Sequence, residues 1–300
     1  MKKVLVICGA TATGKTTLAA RCALGLNSEV ISADSQLIYK GLNIGTAKPT
    51  EEEMLGVPHS MIDVAEPYEK YSVSDYKSAA GVHLNRLFER GKIPVICGGT
   101  GFYINSLLFN FGYGGTRGDE AVREKYAKIL NERGKDYLFS LLQSVDEPSS
   151  RTIHPNDTKR VIRALEIFEL SGKRKSEQRD ELIPKYDYLA VAMDYPREEL
   201  YKRIDLRVDE MFERGLVEEV KGLVERGITE NCQSMQAIGY KEVLEGLKNG
   251  YSQSTMRDII KKNTRHYAKR QITFFKKLPK IIWLNPQEAS AEKVLELLNG

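Results

Sequence analysis

The sequence predicts an α/β protein in which a parallel β-sheet is flanked by helices and interrupted by an all-helical insertion. Short apolar runs typical of buried strands alternate with helical patterns in the first third of the chain, and this alternation favours a parallel sheet. A long segment, from about residue 119 to residue 186, has helical periodicity and few strand signals. Strand character returns at Tyr188–Met193, so we interpret this segment as a helical insertion.

The loop that follows the first predicted strand is a candidate phosphate site. It consists of Gly9, Ala10, Thr11, Ala12, Thr13, Gly14, Lys15 and Thr16. The loop matches the pattern G-x-x-x-x-G-K-[ST] between a strand and a helix, which is the setting that a P-loop requires. Its backbone N–H groups would converge on phosphate oxygens, with Lys15 adding a positive charge and the Thr16 hydroxyl reaching a bound Mg²⁺. The fold expected is therefore P-loop NTPase-like, although the motif leaves the phosphate compound open.

The remaining elements follow from local signals. Predicted strands lie at residues 4–8, 29–32, 93–97, 188–193 and 281–284. Predicted helices lie at residues 17–26, 74–90, 120–133, 135–145, 157–170, 197–214, 216–226 and 254–275, with one more at the end of the chain. We therefore divide the chain into a catalytic core of residues 1–115 and 187–300 and a helical insertion of residues 116–186.

Composition and charge exclude several classes of protein. The chain has 300 residues and a net charge of +4, too small to identify a polyanionic partner. No apolar run is long enough to cross a bilayer and no leader pattern is present, so we expect a cytoplasmic protein without a membrane partner. The four cysteines lack C-x-x-C spacing, which argues against a zinc site or a disulfide framework. Buried free thiols are expected at Cys8 and Cys97, which end apolar strands.

Two further strand ends carry candidate site residues. Asp34 follows the strand at 29–32, and Thr100 lies between two glycines after the strand at 93–97. In a parallel α/β sheet, ligands collect beyond the carboxyl ends of the strands. Asp34 is therefore a candidate metal ligand or general base, or only the cap of the next segment. Thr100 is a candidate ligand contact, or part of a plain tight turn.

Three groups of cations have competing interpretations. Arg203 and Arg207 share a helical face, which more often forms surface ion pairs than an anion clamp. Arg160 and Arg163 are expected to point from one face of an inserted helix. Nine Lys or Arg residues lie between 254 and 280 against one acid, Asp258, with aromatic residues among them. This pattern favours an RNA-binding surface with stacking aromatics, or alternatively a solvated helix whose aromatics are in the core.

Several longer motifs carry a resemblance to a known family. They are Asp-Ser-x-x-x-Tyr-x-Gly-x-x-Ile-Gly-Thr-Ala-Lys-Pro at 34–49, Gly-Gly-Thr-Gly-Phe-Tyr at 98–103, Ser-Met-Gln-Ala-Ile-Gly-Tyr-Lys-Glu at 234–242 and Thr-Arg-His-Tyr-Ala-Lys-Arg-Gln at 264–271. Together with the phosphate loop, they closely resemble the bacterial tRNA dimethylallyltransferases over nearly the whole chain. The motif at 34–49 is far more diagnostic than the loop, which many nucleotide enzymes share.

The resemblance implies transfer of a dimethylallyl group from dimethylallyl diphosphate to the N6 amine of the adenosine 3′ to the tRNA anticodon (position 37), with Mg²⁺. Lys15, Thr16 and Arg207 would contact the diphosphate, and Thr16 would also contact the metal. Asp34 would act as the general base. The implied tRNA contacts are Asp34, Ser35, Gln36, Leu37, Thr100, Arg123, Lys159, Arg160, Arg163, Arg265 and Lys269. The inserted helices would grip the anticodon stem-loop. We expect a monomer, although the sequence does not decide whether the chain dimerises.

The chain departs from the family pattern at three positions, and two other functions remain open. Gly9-Ala10-Thr11 replaces the common Gly-Pro-Thr. Leu37 occupies the position where many members have Gln, with Gln36 one place earlier. Phe274 replaces a tryptophan that is usual in the family. We therefore do not assign the contacts of that glutamine to Gln36, and the sequence leaves open whether Gln36 or Leu37 replaces it. A kinase for a small molecule would need the same phosphate loop, and a non-catalytic RNA-binding protein would explain the basic helix but not Asp34.

Overall fold

The computed structural model describes residues 2–110, 118–178 and 182–300. The chain divides into two compact units, one of Met1–Leu108 with Pro184–Gly300 and one of Phe109–Ile183. The sequence prediction for the insertion was 116–186. Within the described ranges, no helix is long and apolar enough to span a membrane.

The first unit contains a six-stranded parallel sheet, and the predicted fold class is confirmed. The strands are β1 (Lys3–Cys8), β2 (Val30–Ser32), β3 (His59–Ser60), β4 (Val95–Gly98), β5 (Asp187–Met193) and β6 (Ile281–Leu284). They are arranged in the order β3-β2-β4-β1-β5-β6, and every pairing is parallel. The sequence predicted all of them except β3, whose two residues are too few to show a pattern.

The helices are unevenly predicted. In chain order they are α1 (Lys15–Gly25), α2 (Glu51–Met54), α3 (Val73–Glu89), α4 (Gly101–Leu108), α5 (Glu120–Val145), α6 (Glu147–Ser150), α7 (Thr158–Ser171), α8 (Arg197–Glu213), α9 (Leu216–Glu225), α10 (Tyr240–Asn249), α11 (Gln253–Phe275) and α12 (Ala291–Asn299). Single 3₁₀ turns lie at Lys175–Glu177 and Ser234–Gln236. The prediction missed α2, α4, α6 and α10, and it placed the start of α1 two residues late.

The centre of the sheet is fully buried. β1 lies between β4 and β5, and each residue of Val4–Cys8 is 0% exposed. Burial on both faces explains why this strand is apolar at every position rather than at alternate ones. Cys8, Cys22 and Cys97 are buried free thiols, so the expectation for Cys8 and Cys97 is confirmed. Burial raises the pKa of Cys97 to about 12, because the thiolate would be desolvated there.

The second unit is a set of helices with its own small core. Leu138 and Leu142 of α5 pack with Val161 and Leu165 of α7 in one apolar cluster. Within α5, Gly134 takes a non-helical conformation with φ +79°, so two helical runs meet at the residue where the sequence predicted an end. The Asp157 side chain accepts a hydrogen bond from the Arg160 N–H and begins α7, as a capping residue does.

Candidate active site

Three loops at the carboxyl edge of the sheet form the candidate site. β2, β4 and β1 are neighbours, so the residues that follow them lie side by side. The phosphate loop follows β1, Asp34 follows β2, and Gly99-Thr100 follow β4. The structure therefore brings together the three strand ends that the sequence singled out.

The phosphate loop is held by contacts to its own backbone. The Ala10 carbonyl accepts hydrogen bonds from the Lys15 ammonium and, at 2.9 Å, from the Thr13 hydroxyl. Arg203 of α8 donates through Nε to the Ala12 carbonyl at 2.8 Å. Ala12 and Gly14 both have positive φ, which lets the chain turn sharply into α1. Burial lowers the pKa of Lys15, as is expected of an ammonium group removed from water.

The Asp34 and Thr100 loops are joined directly. Asp34 Oδ1 accepts a hydrogen bond of 2.9 Å from the Gln36 N–H, and the Thr100 hydroxyl oxygen accepts one of 3.0 Å from the Ser35 N–H. The Thr100 N–H donates to the Ala33 carbonyl at 3.0 Å. These contacts fix the carboxylate of Asp34 relative to the loop that carries Thr100.

Two adjoining cavities open at this edge. One has a volume of about 90 Å³ and is lined by Lys15, Thr16 and Leu37, among others. The other has a volume of about 280 Å³, and Ser35 and Gln36 lie in its wall. Both cavities are lined by Thr11, Asp34, Thr46, Arg207 and Tyr267. A group that binds the phosphate loop is therefore next to a larger space, with Asp34 between them.

The larger cavity has an apolar side formed by two helices. Ile204, Val208 and Met211 of α8 and Ile260 of α11 are among its buried apolar lining residues. On α8 these positions recur at the spacing of one helical face, which Arg207 shares. The space beside Asp34 therefore offers both polar and apolar contacts.

Arg207 is placed in the site, whereas Arg203 supports the phosphate loop. Arg207 lines both cavities and donates through Nη2 to the Thr46 carbonyl at 3.4 Å. Burial lowers the pKa of Arg207, and the nearby Asp34 carboxylate opposes that shift. Arg203 contacts a loop carbonyl, and Arg207 contacts another and lines both cavities, so these two arginines do not form the ion-paired surface that their spacing alone favoured.

Helix α11 contributes two residues that sequence reasoning did not assign. Gln271 is buried, accepts from the Thr11 N–H at 2.9 Å and donates to the Gly99 carbonyl at 3.0 Å. Tyr267 lines both cavities, and burial raises the pKa of its hydroxyl. The sequence does contain one signal that could have identified these two residues. Ile260, Thr264, Tyr267 and Gln271 have the spacing of one helical face.

Comparison with known proteins decides the family. A sequence profile of the family described as IPP transferase matches residues 37–278, and one described as isopentenyl transferase matches residues 2–66. The chain belongs to the IPP transferase family. It is 45% identical to the tRNA dimethylallyltransferase of Bacillus anthracis, over 99% of this chain and 94% of that protein.

Solved structures of this family have the same fold. The tRNA isopentenylpyrophosphate transferase of Bacillus halodurans is 40% identical and has a TM-score of 0.74, over 100% of this chain and 95% of that one. A eukaryotic dimethylallyltransferase described as acting on tRNA is 32% identical, with a TM-score of 0.85 over 100% of this chain and 79% of that one. The resemblance stated from the sequence motifs is thus confirmed.

The basic helix of this IPP transferase family member is less uniformly charged than its sequence suggested. Arg265 makes two hydrogen bonds to Asp205, and Lys261 donates to Asp209 at 2.7 Å. Both acids belong to α8, so an imbalance counted within one segment is partly offset by a neighbouring helix. Lys269 is exposed. Phe275 is buried in the core, in line with the alternative interpretation of the aromatics.

Several cations predicted to bind tRNA are paired within the second unit. Glu166, whose side chain is 0% exposed, forms ion pairs with Arg123 and Arg163. Burial alone would raise the pKa of Glu166, but hydrogen bonds from Arg163, the Asp119 N–H and Arg123 together lower it. Arg160 pairs with Asp157, while both Lys159 and Arg160 remain exposed. Arg163 is therefore paired with a buried carboxylate, whereas Arg160 remains exposed beside Asp157.

Proposed function

We propose that the chain transfers a dimethylallyl group from dimethylallyl diphosphate to the N6 amine of the adenosine at position 37 of tRNA, and releases diphosphate. The observation that carries the proposal is the position of Asp34 in the wall of both cavities, next to the phosphate loop and to an apolar surface. Membership of the IPP transferase family supports the same reaction.

The proposed reaction is a substitution at the first carbon of the allylic group. The N6 nitrogen forms a bond to that carbon while the bond to the diphosphate oxygen breaks, and the diphosphate leaves with the electron pair. Asp34 accepts the proton that the amine loses, which is general-base catalysis. Lys15, Arg207 and the N–H groups of the phosphate loop stabilise the negative charge that grows on the leaving group.

Mg²⁺ fits the diphosphate side of this site. Thr16 lies in the wall of the smaller cavity with Lys15, and no group of three or more His, Cys, Asp or Glu side chains that could hold a metal occurs in the described ranges. Mg²⁺ bound to substrate phosphates needs few protein ligands, so Thr16 with diphosphate oxygens suits it. The metal would neutralise part of the charge on the leaving group.

The tRNA side of the proposal rests on loop residues of the site and on basic residues of α5, α7 and α11. The target base must leave its stack to reach Asp34, at a cost of a few kcal/mol. Contacts to the flipped nucleotide are proposed for Ser35, Gln36, Leu37 and Thr100. Backbone contacts that offset the cost are proposed for Arg123, Lys159, Arg160, Arg163, Arg265 and Lys269. We further propose that the protein acts as a monomer in the cytoplasm and that its second unit contacts the anticodon stem-loop.

The test is a transfer assay with labelled dimethylallyl diphosphate, Mg²⁺ and an unmodified tRNA that carries adenosine after the anticodon. We expect label in the RNA, lost when that adenosine is replaced by guanosine and abolished by removal of Mg²⁺ with EDTA. A parallel reaction contains labelled ATP in place of the allylic substrate. Hydrolysis of ATP without any prenyl transfer would overturn the proposal in favour of a kinase-type activity.

A further inference from the structure

The side chain of Gln271 joins the phosphate loop to the loop after β4. Gln271 is 5% exposed, and both polar atoms of its amide are used. Oε1 accepts the Thr11 N–H at 2.9 Å, and Nε2 donates to the Gly99 carbonyl at 3.0 Å. One amide thus holds backbone groups from two loops that are distant in the sequence.

The contact between Gln271 and Gly99 leaves no spare room. A Cβ atom added to Gly99 would lie 2.2 Å from Gln271 Nε2, which is closer than real Cβ atoms approach. The absence of a side chain at residue 99 therefore lets the amide reach the backbone. A movement of either loop by a fraction of an ångström has to move the amide with it, because packed interiors have few voids.

The connection extends to Asp34. Gly99, whose carbonyl accepts from Gln271, is followed directly by Thr100, and the Thr100 N–H donates to the Ala33 carbonyl at 3.0 Å. The Thr100 hydroxyl accepts from the Ser35 N–H, next to Asp34. A continuous set of contacts thus runs from the phosphate loop, through α11, to the loop of the proposed base.

We infer that Gln271 is a positioning residue that couples the binding of the two substrates, so that each binds more tightly when the other is present. The inference rests on the proposed function, which places the diphosphate on the phosphate loop and the nucleotide beside Thr100. The first substrate to bind restricts the motion of its own loop, and the amide transmits that restriction to the other loop. The second substrate then orders less of the protein, which is the condition for positive coupling.

The test measures the affinity of an anticodon stem-loop with and without a dimethylallyl diphosphate analogue whose bridging oxygen is replaced by sulfur. With the native protein, we expect the analogue to tighten RNA binding by about 5-fold or more, the lower end of typical coupling. Gln271→Met keeps the size of the side chain and removes both hydrogen bonds. It should reduce the coupling to less than about 2-fold, while each ligand alone binds within about 3-fold of its native affinity.

Two further variants keep the test decisive. Gln233 also makes two hydrogen bonds to backbone groups, those of Tyr71, but it lines neither cavity. Gln233→Met should therefore retain the native coupling. If Gln271→Met does not fold, Gln271→Asn keeps a polar amide but shortens the side chain by one methylene, so that the amide cannot reach both backbone groups, and should lower the coupling in a folded protein.

Two results would overturn the inference. One is native coupling in Gln271→Met, or in Gln271→Asn where that variant replaces it. The other is an absence of coupling in the native protein. Because the analogue does not react, a loss of coupling is distinguishable from a failure of the transfer reaction, which is measured separately with dimethylallyl diphosphate.

Discussion

At the scale of single residues, Gly98 shows how the site depends on close approach of two backbones. A Cβ atom at this position would lie 2.1 Å from the Ala33 carbonyl oxygen. Gly98→Ala should therefore destabilise the protein by about 1–3 kcal/mol or more, because neither backbone can give way cheaply. Gly81, in α3, has nothing within 4 Å of an added Cβ atom. Gly81→Ala should instead stabilise by about 0.5–1 kcal/mol. Urea unfolding of both variants checks this, and equal effects would contradict it.

Lys185 predicts a pH dependence of stability. Its ammonium donates to the Ser106 carbonyl at 3.1 Å, and burial, with some repulsion from Lys77, lowers its pKa to about 8 from 10.5. Between these two values the unfolded state binds more protons than the folded state, so the contribution of Lys185 to stability rises with pH. In Lys185→Met that contribution is removed.

The free energy of unfolding, measured from pH 7 to pH 10, checks this prediction. The native protein should gain stability relative to Lys185→Met as the pH passes through this range. Lys262→Met, at an exposed lysine, controls for the loss of one charge. Parallel curves for the native protein and Lys185→Met would contradict the prediction.

Residues with a local pattern were the ones that the sequence identified. Lys15 and Thr16 stand in a contiguous motif, and Asp34 follows a recognisable strand. Gln271 ends the motif at 264–271, but nothing local indicates its contacts, because its partners Thr11 and Gly99 are 260 and 172 positions away in the sequence. Its role depends on how α11 packs over the sheet edge, which no local pattern contains.

At the scale of elements, the pairing of α8 with α11 changes what is expected of the basic helix. Lys269 is exposed, whereas Arg265 is held by Asp205. Lys269→Ala should flatten the slope of log affinity for tRNA against log salt by about one unit without affecting stability. Arg265→Ala should change this slope less and lower stability by up to about 1 kcal/mol, since it breaks an ion pair.

Salt titrations of tRNA binding, together with thermal unfolding, distinguish the two variants. Lys293→Ala, at an exposed lysine of α12 outside the basic helix, is the control and should keep the native slope. An Arg265→Ala slope change as large as that of Lys269→Ala would contradict the assignment of Arg265 mainly to its ion pair.

Length explains only part of which elements were predicted, since α4 and α10, with eight and ten residues, were also missed. β1, β5 and α11 are long enough for an apolar run or a helical face to stand out. β3 has two residues, and α2 and α6 have four each, so no repeat can be seen in them. The position of the kink in α5 was predictable, because a glycine, Gly134, interrupts the helical run. In the structure Gly134 is the one residue of α5 with a positive φ.

At the scale of the whole molecule, the sequence motifs indicated both the family and the arrangement of one sheet with an inserted helical segment. The bounds of the two units were harder, since a unit is defined by contacts and not by local composition. The pairing of Arg123 and Arg163 with the buried Glu166 also depends on tertiary packing. These long-range pairings are what the sequence alone did not supply.

The central claim is that one carboxyl edge of the sheet joins a diphosphate and an adenosine around Asp34. The most direct test is the single-turnover rate of dimethylallyl transfer by Asp34→Asn, with tRNA affinity measured in the same samples. Asp258→Asn, at an exposed carboxylate of α11, is the control. We predict a rate lower by about 10²–10⁴-fold in Asp34→Asn, the scale of general-base loss, with tRNA affinity nearly unchanged. A native rate, or a loss of binding as large as the loss of rate, would contradict the account.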